Sequence, residues 1–249
     1  MAKLLVVNIP ALNEAETIAG VIARIPRKIG EFETKILVID DGSTDETVKV
    51  AKNAGADWVI SHGTNRGVGA AFRTAVDAAL GFGAEIFVNI DADGQFPPEF
   101  IPELMKKVVE NQADMVVGSR FSGTRAEGIP PIKEKMNKLV AWIVGSLLRR
   151  KIDDLTCGFR AYSRETLLQL NLLESFTYTQ ETIIDALSKN LRVVRIPVEV
   201  KYFAERKSRV VKTIRKYVQV SSAVILRTVR DVRPIFFLGA PGVGLSLLG

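Results

Sequence analysis

An α/β fold built on a mostly parallel central sheet, with helices on both faces, is what this chain of 249 residues predicts. Three observations carry the prediction. Five short runs rich in Val and Ile are apolar without alternation, the pattern of strands covered on both sides. Stretches with helix start signals separate them, so each step from strand to strand reads as a parallel crossover. Polar residues cluster directly after the strands, where open sheets of this kind bind their ligands.

The first run, LLVVNI (4–9), leads into Pro10-Ala11-Leu12-Asn13-Glu14, and Asn13 with Glu16 has the capping-box spacing that opens a helix. KILVID (35–40) ends in Asp40-Asp41-Gly42-Ser43, with the same spacing between Ser43 and Glu46. After DWVIS (57–61) comes Gly67-Val68-Gly69, which lacks the third glycine of a dinucleotide fingerprint and reads as a helix start, with Asn65 and Arg66 near the ligand edge. EIFVNID (85–91) runs into Asp91-Ala92-Asp93-Gly94-Gln95, and Pro97-Pro98-Glu99 suits the first turn of a fourth helix. DMVVGS (114–119) stops at Ser119-Arg120, the last of four strand exits that gather acids, amides or an arginine on one rim.

Asp91 and Asp93 are the chemically loudest pair. Residues two apart in an extended chain point the same way, and two carboxylates held that close repel unless a cation or proton intervenes. An oxygen-only donor set, with Gln95 following from the turn, suits Mg²⁺ or Mn²⁺ bridging a diphosphate. A bare D-x-D is equally a pair of solvated turn acids, but its place after a buried strand and opposite Asp40 and Asp41 favours the metal. Other residues offer less. His62, the only histidine, reads as a loop residue, Cys157 has no histidine partner nearby, and Trp58 and Trp142 read as packing residues.

Charge is uneven along the chain. Residues 201–233 hold ten Lys or Arg against Glu205 and Asp231, a local net of +8 in a chain of +6, so the remainder sums to about −2. Such a segment can serve nucleic acid, anionic lipid or a diphosphate. The uncharged run that follows, residues 234–249, points to a membrane and away from nucleic acid: a basic flank ahead of an apolar run matches the positive-inside pattern, although sixteen residues fall short of the ~20 of a spanning helix. A tail folded on the domain's own core is the alternative. The expected organisation is therefore a catalytic domain over 1–205, a basic amphipathic juxtamembrane segment over 206–233, and a tail over 234–249 that starts a membrane segment. Ile214, Val218, Val220, Val224 and Ile225, interleaved with the bases of the Lys212 to Arg230 stretch, suit an interfacial helix or an ordinary amphipathic one. The lone cysteine fits a reducing compartment, hence the cytoplasmic face, and the amino terminus reads as a first strand, not a signal peptide.

VVNIPALNEAETI, VIDDGSTDET, NRGVGAAFRTA, NIDADGQFPPE, VVGSRF and LTCGFRAYSRE, in that order, resemble the inverting family 2 glycosyltransferases of GT-A fold, within them the dolichyl-phosphate mannose synthase and polyprenyl-phosphate glycosyltransferase branch. The resemblance runs from about residue 4 to about residue 220. It implies a nucleotide-diphosphate sugar donor, GDP-mannose ahead of UDP-glucose, a polyprenyl or dolichyl phosphate acceptor, and a membrane as partner. Pro10, Ala11, Leu12, Glu14, Ile39, Asp41, Arg66, Asp91 and Ala92 would then serve the nucleotide, and Asp91, Asp93 and Gln95 the metal. Arg120, Lys133, Arg206, Ser208 and Arg209 would serve phosphate or acceptor, with Asp91, Asp93 and Arg120 as the catalytic set.

Two departures from the family pattern stand out. Leu12 replaces a frequent aromatic, and Glu205-Arg206-Lys207-Ser208-Arg209 lacks the glycine of the usual late basic loop, which leaves open whether Arg206 or Arg209 meets phosphate. Relatives that glycosylate hydroxyls usually carry a base, often in a Glu-Asp pair. No Glu-Asp dipeptide occurs here, and Asp154 is either a base or a structural acid. The expected activity is hexose transfer to a lipid phosphate with inversion. A hydroxyl acceptor, a nucleotidyltransferase and a non-catalytic membrane adaptor are the competing readings.

Overall fold

The computed structural model describes residues 3–120, 131–172 and 178–200, together with 222, 223, 226, 227 and 230. The chain divides into two compact units, Met1–Gly128 with Thr156–Phe203, and Ile129–Leu155 with Ala204–Gly249.

The first unit is organised by one eight-stranded sheet: β1 (Lys3–Ala11), β2 (Lys28–Ile29), β3 (Phe32–Asp40), β4 (Trp58–Ser61), β5 (Ile86–Asn89), β6 (Met115–Ser119), β7 (Arg160–Ser163) and β8 (Val193–Pro197). Its order is β2-β3-β1-β5-β7-β6-β8, with β4 paired to β3. β1 lies parallel to β3 and β5, β3 to β4, and β6 to β8. β2 is antiparallel to β3, and β7 is antiparallel to both β5 and β6. All five runs recognised in the sequence are strands. Leu5 to Ile9 are consecutive and fully buried, and successive strand residues face opposite ways, so both faces of the sheet are covered.

Helices α1 (Ile18–Arg24), α2 (Thr47–Asn53), α3 (Val68–Gly81) and α4 (Ile101–Val109) fill the crossovers, the last preceded by a 3₁₀ turn at Pro98–Phe100. In the second unit lies α5 (Pro131–Leu148), and back in the first α6 (Arg164–Gln169) and α7 (Thr179–Ser188) follow β7. Phe72 of α3 stacks on Tyr178 at 4.0 Å and 9°, and meets Phe87 of β5 edge-on at 5.8 Å. This aromatic cluster ties α3 and the start of α7 to the sheet beneath the ligand edge.

The expected capping boxes are absent. α1 begins after Thr17 and α2 after Glu46, so Asn13 and Ser43 lie outside both caps. Instead each residue braces the neighbouring loop. Asn13 N–H donates to Ser43 Oγ at 2.8 Å, and Asn13 Oδ1 accepts from Thr44 N–H at 2.8 Å. Glu14 N–H donates to Thr47 Oγ1 at 2.8 Å, and Ala15 N–H to Asp45 Oδ2 at 3.2 Å. Two loops that emerge from adjacent parallel strands offer each other polar partners, and those tertiary bonds displace the local ones that spacing alone suggests.

α5 is followed by Arg149 in the left-handed region at φ 55°. The chain then doubles back: Arg150 N–H donates to Gly145 O at 2.8 Å, and Asn137 Nδ2 donates to Asp154 Oδ1 at 3.0 Å. A Cβ on Gly145 would fall 2.5 Å from Arg150 O, so only glycine permits this return. Trp142 does not pack as expected. It is 67% exposed, three residues after Leu139 at 57%, which puts both on one helical stripe facing solvent. No helix among the described residues is long and apolar enough to cross a membrane. The 234–249 tail and most of the Lys212 to Arg230 stretch lie outside the described residues.

Candidate active site

Strand direction explains why distant motifs meet. β1, β3, β4 and β5 run the same way, and β6 runs with them because both it and β5 are antiparallel to β7. The carboxyl ends of these five strands and the amino end of β7 therefore share one edge of the sheet. On it stand the loops beginning at Leu12, Asp41, His62, Ile90 and Arg120, together with Thr156–Phe159.

The β3 side of this edge is held by two buried acids. Asp40 Oδ1 accepts from Ser43 N–H at 3.1 Å and Oδ2 from Ser61 Oγ at 2.6 Å. Asp41 Oδ1 accepts from His62 Nδ1 and from Arg66 N–H, both at 2.9 Å, while Oδ2 accepts from Gly67 N–H at 2.9 Å. His62 is a loop residue as expected, and its Nε2 bonds Thr74 Oγ1 at 2.9 Å, so its buried side chain pins the loop to α3. With three internal partners, Asp41 primarily shapes the Asn65–Gly67 turn that starts α3. One of its roughly four lone-pair sites is left for a ligand. Gly67, at φ 94°, starts α3 as expected.

Gly42, at φ +83°, is the residue that lets this arrangement close. A Cβ there would lie 2.5 Å from the Thr64 carbonyl carbon and 2.7 Å from Asn65 N, both backbone atoms. Gly42→Ala is expected to cost at least ~1–3 kcal/mol from the left-handed backbone alone. Urea unfolding checks the cost, and faster amide exchange at Arg66 and Gly67 locates it.

Of the other expected nucleotide residues, Pro10, Leu12 and Glu14 lie half-buried at the edge, and Arg66 is exposed. Glu14 Oε2 accepts from Thr17 Oγ1 at 2.9 Å. Ile39 is fully buried in β3, and Ala11 and Ala92 are nearly so, which makes their side chains part of the floor under the edge.

On the other side of the edge, Asp91 is the second residue after β5. Its carboxyl is pushed up to about 7, first by the loss of water around it, then by Asp93, with Glu14 adding a little; Arg120 and Arg160 pull the other way. Asp93 Oδ1 accepts from Gln95 N–H at 3.0 Å, which closes the turn carrying both acids and places Gln95 beside them. Arg120 donates from Nη2 to Thr156 Oγ1.

Arg160, at the start of β7, is fully buried. Its Nε donates to Cys157 O and its Nη1 to Thr182 Oγ1, both at 2.6 Å, and its guanidinium lies 5.8 Å from the Tyr178 ring centre. Beneath Asp91, Asn89 Oδ1 accepts from Asn8 Nδ2 at 2.6 Å, and Asn89 Nδ2 donates to Tyr178 Oη at 2.7 Å and to Gly158 O at 3.0 Å. Sequence reasoning assigns no role to Arg160, Asn8, Asn89 or Tyr178, although Asn8 stands inside VVNIPALNEAETI, Asn89 opens NIDADGQFPPE and Arg160 ends LTCGFR; only Tyr178 carries no signal.

Asp154 is fully buried and bonded to Asn137, the position of a structural acid. The side chain of Lys133, and Arg206, Ser208 and Arg209, lie outside the described residues.

Among the described residues, no three His, Cys, Asp or Glu side chains form a complete metal cage. Mg²⁺ and Mn²⁺ do not require one, since they are commonly held by one or two carboxylates plus water and phosphate oxygens. Two acids one residue apart, one of them raised first by burial and then by the other's charge, fit such an ion.

A sheet of this topology with an acid pair at its carboxyl edge defines the GT-A class of nucleotide-diphosphosugar transferases. The fold agrees with glucosyl-3-phosphoglycerate synthase from Mycobacterium tuberculosis, crystallised with Mn²⁺, UDP and glucosyl-3-phosphoglycerate, at a TM-score of 0.69 and 24% identity over 92% of this chain and 80% of that one. The chain belongs to glycosyl transferase family 2, whose domain matches residues 6–170. It is 32% identical to the polyprenol monophosphomannose synthase of Mycolicibacterium smegmatis over 83% of this chain and 79% of that protein. It is 28% identical to the UDP-N-acetylglucosamine–dolichyl-phosphate N-acetylglucosaminyltransferase of Methanococcus voltae over 80% and 86%.

Proposed function

We propose that this glycosyltransferase moves a hexose from a nucleoside diphosphate sugar to a polyprenyl phosphate, with inversion, on the cytoplasmic face of a membrane. The observation that carries the reading is the Asp91 and Asp93 pair at the carboxyl edge, countered by Arg120 and Arg160, in a chain related over most of its length to enzymes named for polyprenyl-phosphate sugar transfer.

Asp91, Asp93 and Gln95 would hold a divalent ion, Mg²⁺ or Mn²⁺. When bound, such an ion neutralises the charge that gathers on a departing diphosphate. The Mn²⁺ and UDP with which the Mycobacterium tuberculosis fold relative was crystallised support this assignment. Arg120 adds a fixed positive charge on the same edge, an interaction that strengthens as the leaving group takes up the electron pair of the broken anomeric bond. Lys133, Arg206, Ser208 and Arg209 would serve the acceptor phosphate. That phosphate is already anionic near neutral pH, its second pKa being ~6. It forms the new anomeric bond without a protein base, in keeping with Asp154 being buried and bonded to Asn137.

Membrane contact is supported by the exposed stripe of α5. Leu139 and Trp142 are flanked on the same face by exposed Lys135 and Lys138, and Arg149, Arg150 and Lys151 follow the helix end. Aromatic and aliphatic groups framed by bases suit the headgroup boundary of an anionic bilayer. Replacing Leu139 and Trp142 together by Ser is expected to weaken sedimentation with phosphatidylglycerol vesicles by a hundredfold or more, since two buried apolar side chains contribute ~3–6 kcal/mol together and each ~1.4 kcal/mol is tenfold. Unchanged vesicle binding would remove this face from the membrane contact.

The function itself is tested by offering GDP-mannose, UDP-glucose and UDP-N-acetylglucosamine with undecaprenyl phosphate and Mn²⁺, and weighing the lipid product by mass spectrometry. One donor is expected to yield a hexosyl phospholipid. Transfer only to sugar hydroxyls, or no transfer from any donor, refutes the reading.

A further inference from the structure

The turn Thr156–Phe159 and the first residue of β7 are tied to several residues around the acid-bearing edge. Thr156 receives Arg120, Cys157 O and Gly158 O receive Arg160 and Asn89, and Phe159 packs 5.4 Å from Phe96, which follows the acid turn. At its centre, Gly158 faces Asp91. A Cβ on Gly158 would lie 2.9 Å from both carboxylate oxygens of Asp91 and 3.0 Å from Tyr178 Oη. Gly158 is not among the residues of positive φ, so its backbone conformation is open to any L-residue. What demands glycine here is the space that the carboxylate occupies.

The neighbours decide what would yield to a methyl group. Tyr178 is buried, stacked on Phe72 at 4.0 Å and held by Asn89 at 2.7 Å, so a shift of its hydroxyl would disturb both contacts. The Gly158 carbonyl is pinned by Asn89 from the adjacent strand. Asp91, in contrast, is partly open to the edge, so a Cβ on Gly158 would push its carboxylate outward. We propose that Gly158 is a positioning residue, whose bare Cα sets where the Asp91 carboxylate stands when it meets the ion and diphosphate. This inference rests on the metal reading above, but the seat of Asp91 is open to a test of its own.

Gly158→Ala in the full chain is expected to bind Mn²⁺ alone, followed by the electron paramagnetic resonance of the free ion, ~10–100-fold more weakly than wild type. Equal affinity overturns the proposal. A melting cycle on metal-free protein supplies an independent measurement. If the clash with the carboxylate is the cause, Gly158→Ala lowers Tm by several degrees, each kcal/mol being worth ~2–4 °C in a chain of this size. Most of that loss should vanish in an Asp91→Ala background, where the carboxylate is gone. The same loss in both backgrounds makes Gly158 an ordinary packing glycine and overturns the proposal. Should the single variant fail to fold, the Asp91→Ala pair still decides: a double variant as stable as Asp91→Ala supports the proposal, and one that also fails refutes it. Wild-type protein that binds no Mn²⁺ refutes the metal reading, while the melting cycle still tests the hold of Gly158 on Asp91.

Discussion

Asp91→Asn is expected to lower kcat/KM for sugar transfer on the order of 10³-fold or more while leaving the metal-free protein more stable than wild type near pH 8. The two effects share one cause. In the folded chain the Asp91 carboxyl titrates at about 7 against a usual value of 3.8, chiefly through burial and then through Asp93. A group whose folded pKa is raised contributes stability below its unfolded pKa and loses it as pH climbs through the folded one. Without metal, Asp91 therefore destabilises the fold progressively from about pH 4 to about pH 7, by up to a few kcal/mol. Asparagine has the same shape and no charge, so it removes that penalty. It also removes the negative charge that attracts the ion, and with it several kcal/mol of transition-state stabilisation. Urea unfolding of both proteins at pH 4.5 and pH 8 in a chelator checks the first half, with the difference expected only at the higher pH. Donor turnover under saturating Mn²⁺ checks the second. An Asn variant that keeps wild-type turnover would remove Asp91 from the chemistry altogether.

Such a trade of stability for function is the kind of feature that a sequence exposes well. Asp91 and Asp93 are visible because they interrupt a run too apolar to end in charge by chance, and because the strand before them fixes which way they face. The parallel half of the sheet is legible for the same reason: β1, β3, β5 and β6 are each a compact block of Val and Ile. β7 is not. Arg-Ala-Tyr-Ser is four residues long, opens with a charge, and takes its place between β5 and β6 only because two strands already in position offer it both edges. The roles of Arg160, Asn8 and Asn89 are hidden for a related reason. A buried polar side chain is tolerated when it finds partners, and those of Asn89 come from residues 8, 158 and 178, which no local window contains. Trp142 shows the opposite failure, since an aromatic within a helix suggests core and here faces outward beside Leu139.

Arg160→Met should destabilise the protein by several kcal/mol, about 1–3 kcal/mol for each buried hydrogen-bond partner left unsatisfied. Methionine can fill much of the volume, so the loss is electrostatic and hydrogen-bonded in origin. Cys157 O and Thr182 Oγ1 lose donors at 2.6 Å, and Asp91 loses one of the two guanidinium groups that hold its carboxyl down. Losing a cation favours the neutral acid, so the Asp91 carboxyl rises above about 7. Because Mn²⁺ competes with the proton for that carboxylate, the pH at which metal binding is half lost moves upward in the variant. Arg160→Lys keeps the charge but not the fork that reaches both partners, so it should restore the pH midpoint more fully than the stability. The decisive comparison is Arg160→Met combined with Asp91→Asn. If Arg160 is retained in the interior chiefly to balance Asp91, the asparagine recovers a substantial part of the lost stability at pH 8, because no uncompensated anion remains. Strictly additive losses in urea unfolding, with an unmoved pH midpoint for Mn²⁺ binding, would make Arg160 a brace for the Cys157 turn alone and detach it from the acid pair.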